Sequence, residues 1–113
     1  MITIVNLHKR KLQPGEVYIG RSHRFTQLEP SPLANPYKLN SEAERPRVLE
    51  QYRVWLDERL MEPESAQSIE LARLVELAKH GDLVLADWHT GPADVVKERI
   101  EQRLKEVASV EQT

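Results

Sequence analysis

The apolar positions of this 113-residue chain follow two rhythms, one alternating or continuous and one near 3.6 residues, and the switches between them mark out its elements. Ile2-Thr3-Ile4-Val5-Asn6-Leu7 is short, β-branched and partly alternating, which predicts a strand. A basic stretch from His8 to Lys11 leads to Gln13-Pro14-Gly15, where Pro presets φ and Gly tolerates the left-handed region, so a tight turn is expected. Glu16-Val17-Tyr18-Ile19 reads as a second strand, closed by Gly20. Two strands joined through a turn predict a hairpin, with a parallel arrangement as the alternative.

From Arg21 to Asn40 regular structure stops, because Pro30, Pro32 and Pro36 remove amide donors and disfavour helix at the residues before them. The stretch still carries Phe25, Leu28, Leu33, Tyr37 and Leu39, enough apolar anchors to predict an ordered loop. Ser41-Glu42-Ala43-Glu44 matches the capping-box pattern, and Pro46 falls in the first turn, where a missing N–H costs little. Val48, Leu49, Tyr52, Trp55, Leu56 and Leu60 then recur at helical spacing from about 44 to 61. A second helix, about 64 to 79, carries Ile69, Leu71, Leu74, Val75 and Leu77 and ends at Gly81, a residue type suited to closing a helix. Asp82 to Trp88 is a continuous apolar run with polar ends, the mark of a strand covered on both faces. Thr90-Gly91-Pro92 opens a last helix to about 107, with Val95, Val96, Ile100, Leu104 and Val107 facing inward. The order is β-β-loop-α-α-β-α. Helices of this length need a sheet to cover, so the expected fold is a small α/β domain over residues 1–108, a three-stranded mixed sheet packed with three helices, followed by a frayed tail at 109–113.

Composition narrows the function classes. With 40% hydrophobic and 30% charged residues the chain is in the globular range. It has no Cys, which excludes a disulfide scaffold, a Cys-ligated zinc site and thiol catalysis. No apolar run approaches the roughly 20 residues that span a bilayer, so a soluble cytoplasmic protein with no membrane partner is expected. The formal charge of −2 hides an asymmetry. Residues 1–40 carry six basic and two acidic side chains, whereas residues 41–113 carry ten and sixteen. Local potential attracts a ligand more than total charge does, so the first third is the part expected to meet an anion, unless the acids simply solvate exposed helix faces.

Two strand-end loops carry the candidate chemistry. After the last strand, Asp87-Trp88-His89-Thr90-Gly91-Pro92 enters a helix directly, and first-turn amides with the positive end of the helix dipole favour an anion. His89 and Thr90 add donors there, and Gly91 lets the backbone approach a ligand. The plainer reading of the same residues is a helix cap. After the second strand, Gly20-Arg21-Ser22-His23-Arg24 offers guanidinium forks suited to carboxylate or phosphate. If these two strands are parallel neighbours, both loops emerge on one edge and surround one cleft, with Asn35 and Tyr37 of the long loop as its lid. Trp55 reads as core, Trp88 either caps the core or stacks a base, and His8 and His80 read as surface residues. Asp87 and His89 are two possible metal ligands without a third, so no metal site is expected. There is no P-loop, no G-x-G-x-x-G and no nucleophile elbow, so no cofactor is expected and no catalytic residue is assigned.

In order and spacing, Val17-Tyr18-Ile19-Gly20-Arg21, Ser31-Pro32-Leu33-Ala34-Asn35-Pro36-Tyr37-Lys38, Tyr52-Arg53-Val54-Trp55-Leu56, Asp82-Leu83-Val84-Leu85-Ala86 and Ala93-Asp94-Val95-Val96-Lys97 resemble a small bacterial and phage family catalogued as domain of unknown function 4326. The resemblance runs from Ile4 to about Ile100, and its most specific part is the Ser-Pro-Leu-x-Asn-Pro-Tyr block. It implies that the long loop belongs to the domain's plan. Typical members look like Cys-Trp-Cys-x-Pro-x-x-Cys-His-Ala-Asp after the last strand. Here the stretch is Asp87 to Asp94, shorter and without Cys, with Asp87 and His89 at the positions of the first two cysteines.

Three functions follow, in descending order. The first is binding of a phosphate-bearing small molecule, such as a nucleotide, through Arg21, Ser22, His23, Arg24, Asn35, Tyr37, His89, Thr90 and Gly91. The alternative is a non-catalytic regulatory module for nucleic acid or a protein partner, using the basic turn at Lys9-Arg10-Lys11, although a pI near 6.1 is low for a nucleic-acid binder. The last is a metal-dependent hydrolase built on Asp87 and His89.

Overall fold

A computed structural model describes residues 1–22, 27–89 and 91–111. The chain order is β1 (Ile2–Asn6), β2 (Val17–Tyr18), a single 3₁₀ turn (Glu42–Glu44), α1 (Arg45–Leu60), α2 (Ala66–His80), β3 (Leu83–Asp87) and α3 (Pro92–Glu111). This is the expected α/β order, with α3 running past the expected boundary at 107.

The sheet departs from expectation in one respect. β3 lies in the middle, in the order β1-β3-β2, and both of its partners run parallel to it. There is no β1–β2 hairpin, and the sheet is wholly parallel rather than mixed. The physical reason lies in β3 itself. Leu83-Val84-Leu85-Ala86 is the most continuously apolar strand, and a central parallel position is where such a run is buried. Thr3 of β1 is exposed, which suits an edge. The turn at Gln13–Glu16 does form, closed by the Glu16 N–H to the Gln13 carbonyl at 3.1 Å with Gly15 at φ +85°, but it reverses the chain without setting β1 beside β2.

Register places Ile2 and Ile4 of β1, Leu83 and Leu85 of β3, and Val17 of β2 on one face. That face shares one core with Tyr52 and Leu56 of α1, Leu71, Leu74 and Val75 of α2, and Val95, Val96 and Ile100 of α3. Val5 and Val84, on the other face, are half-buried, so the covering there is partial rather than complete. On α2 the expected stripe is narrower than its apolar residues suggest, since Ile69 is 62% and Leu77 43% exposed. Trp55 packs against the core and stacks on Tyr52 at 6.1 Å.

The helix ends correct two readings. Ser41 makes no side-chain cap, and its carbonyl instead accepts the Glu44 N–H at 3.1 Å in the 3₁₀ turn. The working cap is Ser65 at α2, buried, whose Oγ accepts the Ser68 N–H at 3.1 Å and donates to the Arg59 carbonyl at 2.8 Å. Gly81 follows α2 with φ 171°, an extended conformation open to any residue, so it is not the left-handed closing residue anticipated.

The long loop is anchored at both polar and apolar points. Leu33 is fully buried, and its carbonyl accepts the buried Tyr52 hydroxyl at 2.6 Å. The Ser31 N–H bonds the Gly20 carbonyl at 2.9 Å, and Gln67 of α2 donates to the Pro32 carbonyl at 3.0 Å. Phe25 lies outside the described residues.

Candidate functional site

Because all three strands are parallel, their carboxyl ends share one edge. Pairing continues one residue past β1 and β2: the Leu7 N–H reaches the Asp87 carbonyl at 3.0 Å and the Ile19 N–H reaches the Ala86 carbonyl at 2.9 Å. His8, Gly20 and Trp88 therefore leave the sheet side by side, and a cleft of about 690 Å³ opens there. That size is in the range of small-molecule sites.

One wall is the β2 end and the long loop. The Arg21 Nε donates to the Asn35 carbonyl at 2.6 Å, which ties the loop to the strand end. Asn35 Oδ1 accepts the Tyr37 N–H at 2.9 Å, a local turn that turns Tyr37 toward the core and the cleft. The opposite wall is the 3₁₀ turn and the start of α1. Here Arg45 forms a two-point pair with Glu42, 2.9 and 2.7 Å, so each side chain offsets the other's charge. The pairing holds the Glu42 carboxyl below its usual value.

The floor holds a buried carboxyl. Asp87 ends β3 and is only 6% exposed, yet it lines the cleft. Its Oδ1 accepts the Trp88 N–H at 2.7 Å. Burial pushes its carboxyl above the ordinary value, against the pull of the Trp88 and His89 N–H groups and of the nearby Arg21 guanidinium. Tyr18 is raised as well, first by burial and then by the Asp87 charge. Its hydroxyl donates to the Arg21 carbonyl. Gly20 is a consequence of this arrangement. A Cβ there would lie 2.5 Å from the Tyr18 hydroxyl and 2.7 Å from Asp87 Oδ1, so only a residue without one lets the strand pass.

Of the residues expected at the site, Arg21, Ser22, Asn35, Tyr37 and His89 line this cleft. His23, Arg24 and Thr90 lie outside the described residues. Gly91 does not line it. Its φ is +114°, and the space beside its Cα is filled by Leu49, with Cδ2 2.6 Å from where a Cβ would stand. The close approach that Gly91 permits is thus to a leucine of α1, not to a ligand. Trp88 lines the cleft, with the His8 ring edge-on at 5.0 Å.

Sequence reasoning missed four contributors: His8, Tyr18, Lys38 and the Glu42–Arg45 pair. His8 is indeed exposed, but β1 delivers it to the cleft rim only because β1 runs parallel to β3. No local signal marked it, since His8 stands one residue past the paired Leu7 as Gly20 stands past the paired Ile19, and only the register shows this. The basic turn is less free than its sequence implies. Arg10 bonds the Glu16 carboxylate and the Lys11 carbonyl. Among the described residues no three His, Asp or Glu side chains gather to hold a metal ion, and no helix is long and apolar enough to cross a membrane.

Residues 5–102, from within β1 to well inside α3, match the family model described as Domain of unknown function (DUF4326). The chain belongs to this family. The match includes every wall of the cleft, the long loop among them, in agreement with the resemblance drawn from the sequence blocks. No curated protein and no solved structure matches the chain.

Proposed function

We propose that the cleft binds a phosphate-bearing small molecule, a nucleotide being the class its lining suits. The observation that carries this reading is the parallel pairing of β2 with β3, through which Arg21 and His89 come to line one cleft at the carboxyl edge. Open α/β sheets take ligands at that edge. Arg21 supplies a guanidinium at the rim and His89 a ring nitrogen, both exposed and suited to an anion. Trp88, Tyr37 and His8 supply ring surfaces for a base. On this reading the protein works in the cytoplasm, where nucleotides are held.

The test is a titration with inorganic phosphate, ribose 5-phosphate, AMP and GMP, followed by amide chemical shifts. Expected are perturbations confined to Gly20–Ser22, Tyr37–Lys38 and Trp88–His89, and weakening by about tenfold or more in Arg21→Ala, the scale of a lost charge-assisted hydrogen bond. Silence at those amides with every one of these ligands overturns the proposal.

A further inference from the structure

Asp87 is out of place in a site for an anion, and its surroundings say what it is for. The residue is buried but lines the cleft, between the Gly20 backbone and Trp88. A carboxylate has about four acceptor positions, and leaving them unmet in a desolvated place is costly. The backbone N–H groups of Trp88 and His89 meet two of them. The two phenols whose titration feels Asp87 have spent their protons elsewhere, Tyr18 on the Arg21 carbonyl and Tyr52 on the Leu33 carbonyl. What enters the cleft must therefore bring donors to the floor while its negative end stays with Arg21 and His89 at the rim. A vicinal diol next to a phosphate has that polarity. At the carboxyl ends of parallel strands an acidic residue is a known partner for ribose hydroxyls.

We propose, resting on the phosphate-ligand reading above, that Asp87 is a specificity residue that accepts hydrogen bonds from the ribose hydroxyls, so that the cleft selects ribonucleotides over deoxyribonucleotides. Asp87→Asn is the natural probe, because Asn Oδ1 still accepts the Trp88 N–H while the charge is gone.

The experiment measures calorimetric affinities of inorganic phosphate, AMP and 2′-deoxy-AMP for the full chain and for Asp87→Asn. The wild type is expected to favour AMP over 2′-deoxy-AMP by about tenfold or more, the scale of a hydrogen bond to a charged group. In Asp87→Asn the preference collapses toward unity while phosphate binds more tightly, because a negative charge beside the anion is gone. In the wild type the Asp87 carboxyl carbon resonance moves on adding AMP and holds still with phosphate alone, a readout that stands even if the variant does not fold. Phosphate and both nucleotides binding without a ribose preference, or a preference that survives in Asp87→Asn, overturns the role of Asp87 and leaves the broader reading intact. No binding of any of the three overturns both.

Discussion

Leu85 and Asp87 lie two residues apart on the same face of the same strand, and both are buried, at 0% and 6% exposure. Under the helices, Leu85 meets a core drawn from all three helices, and its burial stabilises the fold. At the carboxyl edge, Asp87 meets the cleft, and burial raises the free energy of its charged form. The sheet thus has a body that favours folding and a rim that is held in place by it. Groups held at a cost and aimed at a cleft are where function is to be looked for.

The contrast can be broken by substitution, first at the body. Leu85→Ala is expected to cost about 3 kcal/mol, as for other fully buried leucines, and to lower the thermal midpoint by roughly 10 °C. A loss below about 1 kcal/mol in urea titrations would show that the centre of the sheet is not the stabilising core described.

Next is the junction between the two regions. Gly20→Ala is expected to cost about 2 kcal/mol, because its methyl group collides with the Tyr18 hydroxyl and Asp87 Oδ1. Part of that loss should return in the Gly20→Ala, Tyr18→Phe double variant, which removes the nearest atom. Strict additivity of the two substitutions in a double-mutant cycle would mean the crowding is not as drawn.

The smallest effect is the one with opposite sign. The folded-state pKa of Asp87 is raised, so between the ordinary carboxyl value and the raised one the folded chain holds more protons than the unfolded chain. Its contribution to stability is fully present below the unfolded pKa and is lost as pH rises through the folded pKa. Asp87→Asn should therefore be at least as stable as the wild type at neutral pH and should lack that decline. Urea titrations at intervals from pH 4 to 8 check it, and a variant that is less stable at pH 7 with the decline unchanged would contradict the electrostatic picture.

Much of this architecture was legible along the chain. Helical spacing identified α1, α2 and α3, and the β-branched or continuous runs identified β1, β2 and β3, because these patterns reflect burial on one face of a local element. The loop from Arg21 to Asn40 was legible as ordered from its apolar anchors, and Leu33 and Tyr37 do pack against the core. Pairing was less legible. A Pro-Gly turn between two strands is compatible with a hairpin and with a chain reversal that leaves room for a third strand, and nothing local to residues 7–16 separates them. The site followed suit: Arg21 and His89 were visible as strand-end residues, but His8 and the Glu42–Arg45 pair were not, since His8 depends on which strand lies beside which and the pair on where the start of α1 packs.

Gly20 and Gly91 draw the same line. Both follow strands closely, Gly20 read as closing one and Gly91 as admitting a ligand, but the space beside Gly20 belongs to Tyr18 and Asp87, and that beside Gly91 to Leu49. By itself the order of residues determined which segments become helices and strands, which faces are apolar, and where cationic side chains follow strands, because these properties depend on neighbours within a few positions. Tertiary structure alone decided that β3 stands between two parallel partners and that a carboxyl is buried beneath the cleft they form. Those outcomes depend on contacts between residues dozens of positions apart, whose free energies no local pattern contains.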